Sequence, residues 1–203
     1  MSQLEIINCE QNSPEWLKAR RGIVTASEFD SVLAKGQGKT RAKYMRTLAG
    51  QILSGRIEEG FSNAHMDRGH EQETEARNLY ALMRDAEPEL IGFMRRGRIG
   101  ASPDGLIGDA GMLEIKTKLQ HLQVECLIDD RLPPEHKAQV QGQLWVSGRE
   151  WVDFVSYCPG LPLFVKRVER DERYIAELKI AVDDFIAELD QMVAKLQQYK
   201  VAV

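Results

Sequence analysis

The sequence predicts an α/β fold in which a mixed β-sheet is flanked by helices, and three features carry that expectation. Apolar residues recur at helical spacing in the first third, as in Tyr44, Leu48 and Ile52 and again in Ala76, Leu79, Tyr80 and Met83. Between Leu90 and Lys118 the period shortens to two, and glycine-rich turns interrupt it. The chain then closes on a long amphipathic segment, about Asp171 to Tyr199, with Ile175, Leu178, Val182, Phe185, Leu189, Met192 and Leu196 on one stripe. Such a stripe packs against the sheet or against another subunit.

At 203 residues the chain is long enough to bury a sizeable core. It reads as a single domain over 1–203, comprising a basic helical part (1–86), a sheet and catalytic core (87–170) and a C-terminal helix (171–203). Its 43% hydrophobic and 29% charged content is that of a soluble globular protein. No run approaches the roughly 18 apolar residues of a membrane span, and the start of the chain lacks a basic-then-apolar signal pattern, so a cytoplasmic protein without membrane attachment is expected. Cys9, Cys126 and Cys158 are odd in number and far apart, which predicts three buried thiols rather than disulfides or a cysteine metal cluster.

A net charge of −4 argues against indiscriminate nucleic-acid binding, but the charge is unevenly placed. From Lys18 to Arg56 there are nine basic residues against two acidic ones, whereas from Val168 to Asp190 there are eight acidic against three basic. One face is therefore expected to attract polyanions and another to repel them.

In chain order, Ser13-Pro14-Glu15 reads as an N-cap with proline at the first helical position, opening a short helix to Arg20 that Gly22 ends. Thr25 and Glu28 match a capping box ahead of Phe29, Val32 and Leu33. Ser27 falls in the first turn of that helix, where free backbone N–H groups favour an anion, and Arg20 lies just upstream. The Lys35 to Thr40 run, KGQGKT, lacks P-loop spacing and reads as a mobile basic loop, with Thr40 capping the next helix and Gly55 closing it. A longer helix spans about Asn63 to Asp85. Its apolar face excludes Glu71 and leaves Glu73 and Glu75 flanking it almost equally, so periodicity does not choose between them. Strands follow at Leu90–Met94 and Arg98–Ser102, then a helix after Pro133-Pro134 that Gly148 stops, and strands at Trp151–Tyr157 and Leu163–Val168.

The chemistry centres on Ala101 to Lys118, ASPDGLIGDAGMLEIKTK. Alternation sends Leu113 and Ile115 to one face of a strand and Glu114 and Lys116 to the other. The Gly108–Gly111 turn brings Asp104 back beside them. Two carboxylates converge there with an ammonium alongside, a donor set suited to Mg²⁺ or Mn²⁺ and to orienting or deprotonating a water. Gln139, Gln141 and Gln143 are distributed around the following helix, and one turned inward would offer an amide to a phosphate or to that water.

Five blocks then resemble the phage lambda exonuclease family: W-x(3)-R-x-G-x(2)-T-A-S from Trp16, G-x(3)-E-x(2)-A-R-x-L-Y from Gly69, S-P-D-G-L from Ser102, L-E-I-K from Leu113 and A-Q-V-Q-x-Q-L-W from Ala138. The resemblance implies a restriction-endonuclease-like PD-(D/E)xK core and a Mg²⁺-dependent exonuclease that degrades one strand of duplex DNA 5′ to 3′. It places metal ligands at Asp104, Glu114, the backbone carbonyl of Ile115 and Glu73, the water-activating lysine at Lys116, an active-site glutamine at Gln139, and DNA 5′-phosphate contacts at Arg20 and Ser27. It further implies two Mg²⁺ ions per site, replaceable by Mn²⁺, a homotrimer ring threaded by DNA, and a single-strand annealing protein as partner in a phage-infected or prophage-carrying bacterium. Rival readings are a PD-(D/E)xK endonuclease and a non-catalytic DNA-binding protein on the same fold. An iron–sulfur nuclease would need four clustered cysteines.

Overall fold

The computed structural model describes residues 2–34, 39–57 and 64–199. Its elements are β1 (Leu4–Ile7), α1 (Pro14–Arg20), β2 (Val24–Thr25), a 3-10 turn (Ala26–Glu28), α2 (Phe29–Leu33), α3 (Lys39–Ser54), α4 (Ala64–Arg84), β3 (Phe93–Arg96), β4 (Ile99–Ala101), β5 (Gly105–Ile107), β6 (Gly111–Thr117), α5 (Gln120–Asp129), a 3-10 turn (Pro134–His136), α6 (Lys137–Ser147), β7 (Trp151–Tyr157), β8 (Phe164–Glu169) and α7 (Glu172–Gln197). Most of the basic loop expected at Lys35 to Thr40, residues 35–38, lies outside the described residues, and Thr40 falls inside α3 rather than capping it.

The expected mixed α/β fold is present, with its strands divided between two four-stranded sheets, ordered β1-β3-β4-β2 and β5-β6-β7-β8. Each contains one parallel pair, β2 with β4 and β6 with β7. The β6 to β7 connection passes through α5 and α6, the long crossover that parallel neighbours require.

Strand β6 divides the two cores by its alternation. Met112 packs with Val152, Phe154 and the α6 residues Val140, Leu144 and Val146, while Leu113 and Ile115 lie with Val155 and Tyr157 under Ala76 and Tyr80 of α4. Helix α4 is pinned to this sheet by buried Asp153, which accepts from Tyr80 Oη at 2.7 Å and from both Arg167 Nε and Nη2 at 2.9 Å. Burial first, and then the Asp153 carboxylate, pushes ionisation of the Tyr80 hydroxyl upward, so the proton stays in this bond. Helix α6 lies against the 3-10 turn that follows β2. A glycine is required at the crossing, because a Cβ on Gly142 would stand 2.3 Å from the Phe29 ring.

The amphipathic stripe of α7 is buried as expected at Ile175, Leu178, Val182, Phe185 and Leu189, but it packs on α2, α3 and α6 rather than on a sheet, and Leu196 is 40% exposed. The acidic helix and the basic segment are therefore neighbours. Arg41 of α3 pairs with Glu188 at 2.8 Å, which corrects the expectation that the two charges occupy separate faces. Among the described residues no helix is long and apolar enough to cross a membrane. The cysteines are unpaired, with Cys126 and Cys158 buried and Cys9, against expectation, only partly so.

Candidate active site

The hairpin positions its acids by hydrogen-bond arithmetic. Pairing of β5 with β6 begins at Gly105↔Leu113, so Ile115 has no residue of β5 opposite it. Its N–H donates instead to Asp104 Oδ2 at 2.6 Å, while Asp104 N donates to Leu113 O at 2.9 Å. Asp104 is thus fixed at the mouth of the hairpin. Glu114, only 2% exposed, and Lys116 emerge together on the α6 side, Lys116 Nζ standing 2.6 Å from Glu114 Oε1. Two amides from α6 complete the carboxylate's shell: Gln139 Nε2 donates to Oε1 at 2.6 Å, and Gln143 Nε2 donates to Oε2. Gln139 and Gln143 are one helical turn apart, which lets both reach one carboxylate. Gln141 turns the other way and binds Glu169 O and Asp171 N.

Burial raises the Asp104 carboxyl well above the usual carboxylate range, and Glu114 and Glu73 raise it further, against the pull of the Ile115 N–H and Lys116. Burial alone would lower Lys116, but Glu114 outweighs it, with Asp104 and Glu73 adding to the effect, so the lysine is held above its ordinary value. His136, stacked on Phe154 and in contact with Lys118 Nζ at 3.1 Å, is pushed down to about 4 by burial and then by Lys118 and Lys116. It adds no charge to this face near neutral pH.

Glu73 and Glu75, which the sequence left equal, have different partners. Glu75 bonds to Tyr157, whose hydroxyl burial and this acid push up to about 12. Glu73 is ion-paired with Arg77, one turn along α4, and Arg77 Nε also donates to Asp104 O at 3.1 Å. Arg77 and Gln143 are the two contacts that periodicity missed. The resembling block around Ala76-Arg77 contained the first; on α6 one inward amide was expected to serve a phosphate or a water, whereas two, from Gln139 and Gln143, bind the Glu114 carboxylate.

Arg20 lies nearby, since Ser102, two residues before Asp104, accepts from its Nη1 at 3.4 Å and from Trp16 Nε1 at 2.9 Å. The guanidinium sits 4.1 Å from the Trp16 ring centroid, and burial pushes it below its ordinary value although Tyr44 and Glu28 pull the other way. Ser27 is exposed and its hydroxyl contacts Thr25 Oγ1 at 3.2 Å; among the described residues no hydrogen bond joins it to Arg20. The capping box expected here is not formed. Thr25 pairs with Gly100 as part of β2 and gives its N–H to Tyr44 Oη, while Glu28 accepts from the Ser31 hydroxyl.

The donor set fits a divalent cation. A crowded, half-buried group of carboxylates disfavours its own ionised form, and a hard cation relieves that strain. Among the described residues no three His, Cys, Asp or Glu side chains stand ready as a metal-binding group, so such an ion would draw on Asp104, Glu114 and a main-chain carbonyl such as that of Ile115, with Glu73 engaged by Arg77.

Two acids and a lysine on one hairpin of a mixed sheet, backed by a further acid from a preceding helix, define a nuclease of the PD-(D/E)xK class. Residues 15–150 match the YqaJ-like viral recombinase domain, and the chain belongs to that family. It is similar to the alkaline exonuclease LHK-Exo of Laribacter hongkongensis, at 37% identity and TM-score 0.84 over 92% of this chain and 97% of that one. A structure of LHK-Exo in complex with dAMP gives 38% identity and TM-score 0.85 over the same shares. A phage-related exonuclease of Haemophilus somnus 129PT shares the fold at 16% identity, TM-score 0.64, with 86% of this chain and 96% of that one covered. No curated protein sequence gives a significant match. The likeness to the phage lambda exonuclease type that the motifs implied is therefore established at the level of family and fold.

Proposed function

We propose that this protein is a Mg²⁺-dependent exonuclease that degrades one strand of double-stranded DNA 5′ to 3′ from its end, leaving 3′ tails for recombination by strand annealing. The observation that carries the reading is the Ser102-Pro103-Asp104 step: it joins a half-buried, carboxylate-free contact of Arg20 to the Asp104–Glu114–Lys116 cluster within two residues, a span of about 7 Å. An end-binding cation next to a hydrolytic centre is what removal of terminal nucleotides requires. The dAMP held by the related LHK-Exo supports a site of mononucleotide size.

Asp104, Glu114 and the Ile115 carbonyl would hold Mg²⁺, two ions per site in this reading and Mn²⁺ as substitute, with Glu73 contributing to the second. Divalent ions supply Lewis-acid stabilisation of the attacking and leaving oxygens of an in-line displacement at phosphorus. Lys116, 2.6 Å from Glu114, is placed to orient the attacking water through its N–H groups. Gln139 and Gln143 fix the Glu114 rotamer, so its second oxygen does not swing away as charge develops. Arg20, with Ser27 and Ser102 at the rim, takes the 5′-phosphate. The whole chain acts as one domain in the bacterial cytoplasm, alongside a phage-type single-strand annealing protein.

With Mg²⁺ present, linear duplex should be shortened and nicked circular duplex left undigested, and EDTA should stop digestion until Mg²⁺ or Mn²⁺ is returned. Cleavage of closed circles would favour an endonuclease, and binding without digestion would favour a non-catalytic DNA-binding role. As a separate expectation, the protein forms a ring of three subunits around DNA. Exposed Leu79, Leu82 and Met83 on one side of α4 provide apolar surface for subunit contact. Sedimentation equilibrium should return three chains per particle, and a monomer at micromolar concentration that digests long DNA without dissociating would refute the ring.

A further inference from the structure

A single guanidinium spans two parts of the site that are distant in sequence. Arg77 Nη2 is ion-paired with Glu73 Oε1 on α4, and Arg77 Nε donates at 3.1 Å to the main-chain carbonyl of Asp104, at the mouth of the catalytic hairpin. An i,i+4 pair on an exposed helix face contributes little. Here the side chains are 16% and 27% exposed and a third partner lies 27 residues further on, so screening is weaker and the contact joins separate elements. The two bonds leave different N–H groups of one rigid fork. A lysine ammonium carries the same charge but lacks that fixed geometry.

The charges around Arg77 give it a second consequence. Glu114 and Glu73 both lie close enough to Asp104 to act on it electrostatically, and Lys116 is spent on Glu114 at 2.6 Å. Arg77 is the cation placed against Glu73.

We propose that Arg77 is a positioning residue with two separable effects: as counter-cation of Glu73 it restrains the site's attraction for divalent ions, and as a tether it fixes the Asp104 loop to α4. The inference rests on the reading of Asp104 and Glu114 as divalent-cation ligands. Loss of the charge frees Glu73 to strengthen the negative potential felt by an incoming cation. Loss of the fork lets the Asp104 loop drift from the geometry that in-line attack needs, where errors near 1 Å are costly. Cation affinity and turnover should then move in opposite directions. A residue that merely held the fold together would lower both.

The test is calorimetric titration of Mn²⁺ into the wild type, Arg77→Met and Arg77→Lys, followed by kcat and KM on linear duplex at saturating Mg²⁺. Arg77→Met should bind Mn²⁺ about three- to tenfold more tightly, yet turn over at least about tenfold more slowly with KM little changed. Arg77→Lys should bind Mn²⁺ as the wild type does and remain slow. Equal or weaker Mn²⁺ binding by a folded Arg77→Met overturns the counter-cation effect, and full kcat in Arg77→Lys overturns the tether. If Arg77→Met does not fold, Arg77→Gln serves instead. It removes the charge while keeping a polar side chain and should likewise bind Mn²⁺ about three- to tenfold more tightly, with unchanged affinity counting against the proposal. A wild type that binds no Mn²⁺ would remove the reading of Asp104 and Glu114 itself, whereas a wild type that binds it beside indistinguishable Arg77 variants would remove only this inference.

Discussion

Lys116→Ala is expected to digest linear duplex DNA at less than about a tenth of the wild-type rate, a loss above ~1.4 kcal/mol on the barrier, and Asp104→Asn and Glu114→Gln should each be at least as damaging. None of the three should unfold the protein. In Asp104→Asn an amide oxygen can still accept the Ile115 N–H that holds the hairpin mouth. In Glu114→Gln the substituted side chain keeps an acceptor oxygen among the amides of Gln139 and Gln143. In Lys116→Ala the Glu114 carboxylate loses its counter-charge but keeps both of those donors, so its oxygens stay hydrogen-bonded. Single-turnover digestion read beside thermal melting separates the possibilities. A double substitution should cost little more than either single one, because the groups act as a unit. If Lys116→Ala kept most of its rate while remaining folded, the lysine would not be orienting the attacking water.

The hairpin was legible from sequence because its information is local. Alternation of Leu113, Glu114, Ile115 and Lys116 assigns faces, and a glycine-rich turn fixes the register; the structure puts Leu113 and Ile115 under α4 and Glu114 toward α6 accordingly. Helix α5 was missed for the opposite reason. Its buried face is built on Gln123 and Cys126, and a buried glutamine carries no hydrophobic signal; Gln123 is admitted because its amide donates to Ser156 O and Pro162 O and accepts from the Ser156 hydroxyl. Strand β1 was missed because four residues with an intermediate-exposed-exposed-intermediate pattern show no alternation, and it is specified by pairing with β3, some 90 residues away. The capping box at Thr25 failed through competition: the backbone there is claimed by β4 and by Tyr44 before a helix can use it. Apolar periodicity could not separate Glu73 from Glu75 because their partners are polar: Glu73 pairs with Arg77 one turn along α4, and Glu75 bonds to Tyr157 at the end of β7, which a helical wheel does not contain.

A duplex end carrying a 5′-phosphate should be digested roughly ten- to hundredfold faster than the same end carrying a 5′-hydroxyl, the range expected of charge-assisted hydrogen bonds contributing ~1.5–3 kcal/mol. The reason lies in how Arg20 is held. Its guanidinium is positioned by stacking on Trp16, 4.1 Å from the ring centroid, and by one long bond to the Ser102 hydroxyl at 3.4 Å, rather than by a carboxylate salt bridge. Burial already disfavours its charge, so a phosphate dianion arriving there gains both hydrogen bonds and the relief of an undersolvated cation. A hydroxyl can accept an uncharged hydrogen bond but brings no counter-charge. Arg20→Ala should therefore erase most of the preference while leaving Mn²⁺ affinity at Asp104 and Glu114 unchanged, since no hydrogen bond links Arg20 to either acid among the described residues. Arg20→Lys should recover only part, because an ammonium keeps the charge but loses the planar stacking on Trp16 and the fork that matches a phosphate. The measurement is single-turnover digestion of paired substrates differing only in the 5′ group, by wild type and both variants. Equal wild-type rates on the two ends would mean that Arg20 and Ser27 do not read the terminal phosphate. A preference that survived Arg20→Ala would move the reading of that phosphate to another part of the basic surface.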